Sequence, residues 1–450
     1  MFQSLFFIFL QTSTLSYIIM PFYTYKSNIS YINISDYFSI QNFLFNNIYS
    51  YIIIGSPPQK IVANINFNDY RFNIYNNQCD IPSEYNYFTK NSSTRINKGF
   101  ILTDVYVDTF LMEDIFYLPQ YHNKSLKLNY IYAPMNDNMY EPSIKKKKYT
   151  CANIGLKLSV DYVETLNYNF LRELKSLGII DSYVFFLYYN DTSKDEGELI
   201  IGELPHEVNK NIYKYSQYKE VYASNNKYML CWMLRFDKFN LEYNSSNNLV
   251  YYNLTDNIEA EIDYNLNVIY GGEEFLQLID QIYFNKAKED NLCEKIYINY
   301  HNIIYYECKS SLDIRTFPKI SFIHKELASK FTLSYQEVFA SHKNKYIFLI
   351  WFERNENRNV WKLGKPFLKK YIFTFNLDKK TIGYYSGETN SSRIISKNEQ
   401  DITIKFTIIK LILLSIIAFI LCYFITKLYY RQKKHYKNDE KLTELIYMNK

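Results

Sequence analysis

The chain has 450 residues, 48% of them hydrophobic and 19% aromatic, and carries a net charge of +5 at pH 7. That length buries a large core and favours two lobes, while so small a charge argues neither for nucleic acid nor for an acidic substrate. Tyr (48) and Phe (33) dominate the aromatics, and Asn, Lys and Ile are abundant everywhere, so Asn-rich and Tyr-rich stretches are background.

At the N-terminus, Leu5 to Leu10 is an apolar core followed by small polar residues up to Ser16. It reads as a signal peptide over residues 1–18, although no Lys or Arg precedes it. Residues 19–40 read as a polar lead-in or pro-segment without periodicity. Phe43 to Ile65 reads as strand, turn, strand, with Gly55 and Pro57-Pro58 in the bend. Phe72 to Tyr75 alternates, and Gly99 to Leu111 is another extended stretch. The basic run Lys145 to Lys148 is expected as a solvated loop. Tyr162 to Leu177 has helical spacing, with Gly178 as its stop. Tyr183 to Tyr189 and Gly197 to Gly202 are strands.

The second half repeats this style. Trp232 to Leu241 alternates, Ile258 to Ile269 is strand-like, and Phe275, Leu278, Ile279 and Ile282 mark a helix. Phe317 to Phe322 begins another strand, and Trp361 to Tyr385 is β-rich. The lobes are expected over residues 41–212 and 213–390, followed by a stalk over 391–405. Ile408 to Ile425 is almost unbrokenly apolar, which predicts a transmembrane helix over 406–427. Lys427, Arg431, Lys433, Lys434 and Lys437 follow it, so residues 428–450 are expected as a cytoplasmic tail. A single C-terminal span then places the body in the secretory route or at the cell surface.

Six cysteines fit that compartment. Cys293 and Cys308 are close in sequence, flank a strand-like Ile296 to Tyr306, and are the best pair for a disulfide. Cys79 and Cys151 are candidates for a second bridge; Cys231 would then be free and buried, and Cys422 lies in the span. The spacing matches no zinc pattern. Sequons at Asn123, Asn190 and Asn253 are compatible with glycosylation.

In order and spacing, several segments resemble the pepsin-like aspartic proteases, the peptidase A1 family. Ile54-Gly55-Ser56-Pro57-Pro58-Gln59 is similar to that family's I-G-T-P-P-Q. Phe170 with Leu174, Gly178 and Ile179, the strand at Gly197 to Gly202, Tyr228 with Trp232, and Phe317 to Phe322 follow in the family's order. Trp361-Lys362-Leu363-Gly364-Lys365-Pro366-Phe367-Leu368, continuing to Ile382-Gly383, is the most specific match. The resemblance implies a mainly β, bilobal fold with a cleft between two β-lobes. It also implies a catalytic Asp from each lobe, each in an Asp-Thr/Ser-Gly turn, the pair sharing one proton and holding one water. No cofactor or metal is implied.

Counted from Gly55, the first Asp position is Asn66, followed by Phe67 and Asn68. The second is Asp263, followed by Tyr264 and Asn265. Phe67, Asn68, Tyr264 and Asn265 are expected to line the substrate cleft, with the two aromatics where water and substrate should sit. Asp69 is expected on the opposite face of the strand. By spacing, the covering tyrosine of the family's flap hairpin should fall near Ser92, where the flap glycines are also missing; Tyr85 or Tyr87 could serve only in another register. These departures imply a membrane-anchored pseudoprotease that binds a peptide or protein in its cleft. The alternatives are an active aspartic endopeptidase using Asp263 with Asp69 or an acid from elsewhere, and a structural surface protein with a cleft filled by Phe67 and Tyr264.

Overall fold

Ile48, Ser50, Ile52 and Ile54 are buried and the residues between them half-exposed, so one face of this stretch is committed to a core. The computed structural model describes residues 16–24, 40, 43–44, 48–75, 87–101, 109–118, 125–133, 151–158, 169–190, 195–210, 213–224, 231–245, 248–299, 302–353, 360–386, 415, 421–431 and 433. The first strands are β1 (Ile18–Thr24), β2 (Ile48–Ile54), β3 (Gln59–Asn66), β4 (Phe72–Tyr75), β5 (Ile96–Ile101) and β6 (Thr109–Tyr117). Then come β7 (Ser125–Ala133), β8 (Ala152–Gly155), β9 (Val184–Tyr189), β10 (Glu196–Ile201), β11 (Tyr218–Tyr222), β12 (Met233–Ser245) and β13 (Asn248–Ile262). The remainder are β14 (Ile269–Gly271), β15 (Cys293–Ile298), β16 (Ile303–Lys309), β17 (Lys319–His324), β18 (Ser329–Leu333), β19 (Phe339–His342), β20 (Lys345–Phe348), β21 (Ile350–Glu353), β22 (Val360–Leu363), β23 (Phe373–Asn376) and β24 (Thr381–Tyr385). The chain to Ser392 forms one compact unit and Arg393–Lys450 a second.

Two large sheets make the fold mainly β. The first has 13 strands in the order β11-β24-β23-β9-β10-β1-β2-β3-β8-β4-β7-β6-β5. The second has 11, in the order β18-β17-β12-β13-β22-β14-β21-β16-β20-β19, with β15 on β16. The expected boundary at 212/213 divides the sequence, whereas the first sheet takes β11, β23 and β24 from beyond it. β23 joins β9 through Phe375 opposite Phe185.

Several sequence expectations change. Residues 18–24 are not aperiodic: β1 lies between β10 and β2, with Ile18, Met20 and Phe22 fully buried. Pro21 disguises the strand, and the pairing of β1 with β2 begins only at the next residue, Phe22. The stretch expected over 99–111 is instead the antiparallel hairpin β5–β6, with residues 102–108 outside the described residues. The single strand expected over 296–306 is the hairpin β15–β16, which sets Cys293 opposite Cys308. The helix expected over 162–177 is described only as α1 (Phe170–Ser176), capped by the Asn169 side chain accepting from Leu171 and Arg172 N–H. The second helix is α2 (Glu273–Ile279), which continues as a π-helical turn over Asp280–Phe284. Lys145 to Lys148, Asn123 and the stalk lie outside the described residues.

Cys293 and Cys308 are disulfide-bonded, as expected. Cys151 is also disulfide-bonded; its partner lies outside the described residues, as Cys79 does. Cys231 is a buried thiol outside any disulfide, and burial pushes it up to about 12. The 15-residue separation of Cys293 and Cys308 sets the loop entropy that the bridge removes from the unfolded chain. Replacing both with Ala is expected to cost about 3 kcal/mol in urea unfolding.

Ile40, Phe43 and Leu44, just before β2, pack into a cluster otherwise built by the second half of the chain, including Leu266, Val268, Tyr305 and Trp351. Phe43 stacks on Trp351 with ring centroids 5.4 Å apart. No helix among the described residues is long and apolar enough to cross a membrane. Residues 421–431 are helical, and the rest of the predicted span up to 420 lies outside the described residues except Ser415.

Candidate active site

Two strands from different halves of the chain end side by side. β3 ends at Asn66, and β13 ends one residue before Asp263. The two turns that follow are built alike. Asn66 Oδ1 accepts the Asn68 N–H at 2.8 Å, and Asp263 Oδ1 accepts the Asn265 N–H at 2.8 Å. Each side chain thus closes a turn on its own backbone two residues on, as Asn and Asp readily do. Gly155 stands opposite Asn66 in β8, where a Cβ would come within 2.3 Å of the Tyr70 carbonyl carbon, so only glycine fits beneath the first turn.

One hydrogen bond joins the turns. Asn68 donates from Nδ2 to Asp263 Oδ2 at 2.9 Å, and so occupies the carboxylate oxygen that the turn leaves free. Asp263 is buried, 4% exposed, and Asn66 is half-exposed. Burial raises the Asp263 carboxyl above the usual aspartate value; Asn68, the Asn265 N–H, Lys365 and Lys362 oppose the rise without cancelling it. Lys365 begins α3 (Lys365–Leu368) and is itself buried. Its amine donates to Asn267 Oδ1 at 2.9 Å. Burial, with Lys369, holds that amine well below the usual lysine value, and Asp263 and Asp195 pull the other way. Asn267 in turn donates to the carbonyls of Phe43 (from Nδ2, 2.5 Å) and Leu44 (from N, 2.9 Å), so the segment before β2 braces this side of the site.

The two aromatics are not where the sequence placed them. Phe67 and Tyr264 are 1% and 0% exposed and pack on each other, tilted, with centroids 4.7 Å apart. Phe67 also packs edge-on against Phe185 of β9 and Phe375 of β23, and Tyr264 packs edge-on against Phe375 and near-parallel to Tyr189. They seal the site from beneath and do not line a cleft. The reason is strand alternation: a residue adjacent to one facing the site faces the sheet behind it. Asn265 is likewise buried, and of the four expected lining residues only Asn68 is exposed.

Asp69 supplies no second acid. Both of its oxygens are held by Arg71, at 2.9 and 3.0 Å. The flap expectation is also corrected. Ser92 is buried in a polar cluster, with its Oγ accepting the Ser56 N–H at 3.2 Å, and is not on a hairpin tip. Tyr87 is fully buried and donates to Asp114 at 2.6 Å. The described hairpin of this region is β5–β6, and residues 102–108 between its strands lie outside the described residues. Lys365 and Asn267 were missed altogether, and only their nearness to a motif could have flagged them. Among the described residues no group of His, Cys, Asp and Glu forms a metal-ligand set.

The raised Asp263 carboxyl carries a pH signature. A carboxyl whose folded-state pKa exceeds its unfolded value gives stability that is full below the unfolded value and is lost as pH rises through the folded one. Asp263→Asn removes that loss. The stability of the variant relative to the parent is therefore expected to increase between about pH 4 and pH 7, read by urea unfolding at both. A constant or shrinking difference would rule out the raised value.

A family model described as eukaryotic aspartyl protease matches residues 49–386. A comparison with the curated proteins finds no match.

Proposed function

The chain belongs to the eukaryotic aspartyl protease family, and we propose that it is a catalytically impaired, membrane-anchored member that binds a peptide or protein in its interlobe cleft. The observation that carries this reading is a single buried carboxylate, Asp263, where the family's reaction uses two, with its free oxygen held by Asn68. Peptide hydrolysis by such a pair needs one ionised carboxylate to activate water and one protonated carboxyl to polarise the carbonyl. Asn66 can do neither, and removing one member of a unit that acts together removes most of the rate. The turns keep their shape, so the site retains a scaffold for an extended peptide without its proton chemistry. The apolar runs at Leu5 to Leu10 and Ile408 to Ile425, with the basic residues after the second, support an entry into the secretory route and a single C-terminal span with a cytoplasmic tail.

The full chain is expected to cleave no peptide in a random library between about pH 3 and pH 7, yet to retain a subset of extended peptides in equilibrium selection. Cleavage that disappears in Asp263→Ala would establish a working endopeptidase and end the impaired reading. Absence of both cleavage and retention would leave a structural role. Protease protection of membrane vesicles checks the topology: a tail that is shielded while the body is digested from the cytoplasmic side contradicts it.

A further inference from the structure

β11 is an edge strand of the 13-stranded sheet: β24 lies on one side of it, and no described strand on the other. Tyr222 ends this strand 82% exposed, and Tyr215 stands just before it 73% exposed. No other large apolar side chain described between residues 16 and 386 is more than 49% exposed, so the pair stands apart from the tyrosine-rich background. Tyr215 packs on His206 with ring centroids 5.0 Å apart, and His206 Nδ1 bonds to the Tyr385 hydroxyl at 2.6 Å. Tyr385 is opposite Tyr218, the first residue of β11, which faces the same way as Tyr222. Tyrosines thus run along this edge from one end to the other. Lys210, Lys214 and Lys219 are exposed beside them. Of the nearby acids, Glu220 is held by Lys379 at 2.7 Å and Asp378 by Lys175 at 3.1 Å, and Glu207 accepts the Leu204 N–H at 2.6 Å.

The chain leaves the first sheet at the same place. Ser386, the residue after β24, donates its N–H to the Gln217 carbonyl at 2.8 Å. Residues 387–405 then lead to the apolar run read as a span from residue 406. A stretch of that length reaches about 25 Å even as a relaxed coil. A bilayer that takes up the span therefore lies within reach of the β11 edge.

We propose that this edge rests on the headgroup layer of the bilayer that holds the chain, with Tyr215 and Tyr222 among the headgroups and the three lysines on lipid phosphates. The assignment rests on the membrane-anchored reading above and names the face that is turned to the lipid. Tyrosine suits that depth because its ring is apolar and its hydroxyl stays wet. Lysine suits it because its stem lies along apolar surface while its ammonium group reaches an anionic oxygen. A second copy of the chain is the poorer occupant: Lys219, in the middle of β11, puts a charge on the edge, which discourages pairing with another strand.

Tryptophan fluorescence of the full chain in phosphatidylcholine nanodiscs tests this. The three native tryptophans, Trp232, Trp351 and Trp361, are all buried, so Tyr222→Trp adds an exposed reporter. Its emission is expected to shift to the blue and to be quenched when the lipid is brominated. The control Tyr297→Trp, at a half-exposed position on the second sheet, should add no quenching. Adding Lys214→Glu and Lys219→Glu to Tyr222→Trp should reduce the quenching. Should Tyr222→Trp not fold, Tyr215→Trp takes its place as reporter. A chain retained by the membrane in alkaline carbonate but unquenched at Tyr222→Trp overturns the docking face and leaves the anchored reading standing. A blue shift without quenching that grows with the number of copies per disc gives the edge to a second copy and also overturns it. Release of the chain by carbonate overturns both.

Discussion

The double substitution Asn66→Asp, Asn68→Gly is expected to restore peptide hydrolysis with an acid optimum, about 10³-fold or more above the parent chain. Asn66→Asp alone is expected to restore none. The two turns already hold their side chains alike, each Oδ1 accepting an N–H two residues on at 2.8 Å, so an aspartate at 66 inherits the geometry of Asp263. What remains is Asn68, whose amide holds Asp263 Oδ2 at 2.9 Å and keeps that oxygen from orienting water. Glycine at 68 frees it. Asn68 does not have a positive φ, so the change removes a side chain without relieving strain. The restored pair would share one proton because two carboxylates in one site cannot both ionise easily, which sets the acid optimum. Fluorogenic peptides assayed across acid to neutral pH read the result. A double variant as inactive as its parent would place the block elsewhere than in these two side chains.

Alanine at Phe67 or Tyr264 is expected to destabilise the chain by about 3–5 kcal/mol, the range for a fully buried large aromatic. Both are essentially unexposed, and both join the stack that ties the ends of β3 and β13 to Phe185, Tyr189 and Phe375. Their direct contact at 4.7 Å should appear as a coupling of about 0.5–1.5 kcal/mol in a double-mutant cycle by urea unfolding. Were these rings obstructing an open cleft, truncation would be nearly neutral for stability and would widen access. A loss below about 1 kcal/mol for either residue would therefore return them to the cleft.

The distance between those two outcomes marks where reading from residues stops. The hairpin at β2–β3, the strands β9 and β10, and the run from Trp361 were legible because alternation, turn residues and motif spacing are local properties. The loss of the first acid was legible for the same reason: Asn66 occupies a position fixed by counting along one strand from Gly55. β1 was missed because Pro21 interrupted an alternation that only its neighbours β10 and β2 make worthwhile. The hairpin β15–β16 was read as one strand because its turn, Asn299 and Asn302 among its residues, is indistinguishable from the Asn-rich background.

The sequence by itself determined the family's fold, the missing carboxylate and the Cys293–Cys308 bridge. Only the tertiary structure decided that Phe67 and Tyr264 face away from the site, that Asn68 reaches across to Asp263, and that Lys365 and Asn267 stand behind it. Each of these pairs residues far apart in the chain, as Asn68 and Asp263 are, 195 positions apart. Local periodicity fixes which face of a strand a side chain takes, but what lies against that face depends on how distant strands are brought together, and no local pattern encodes it.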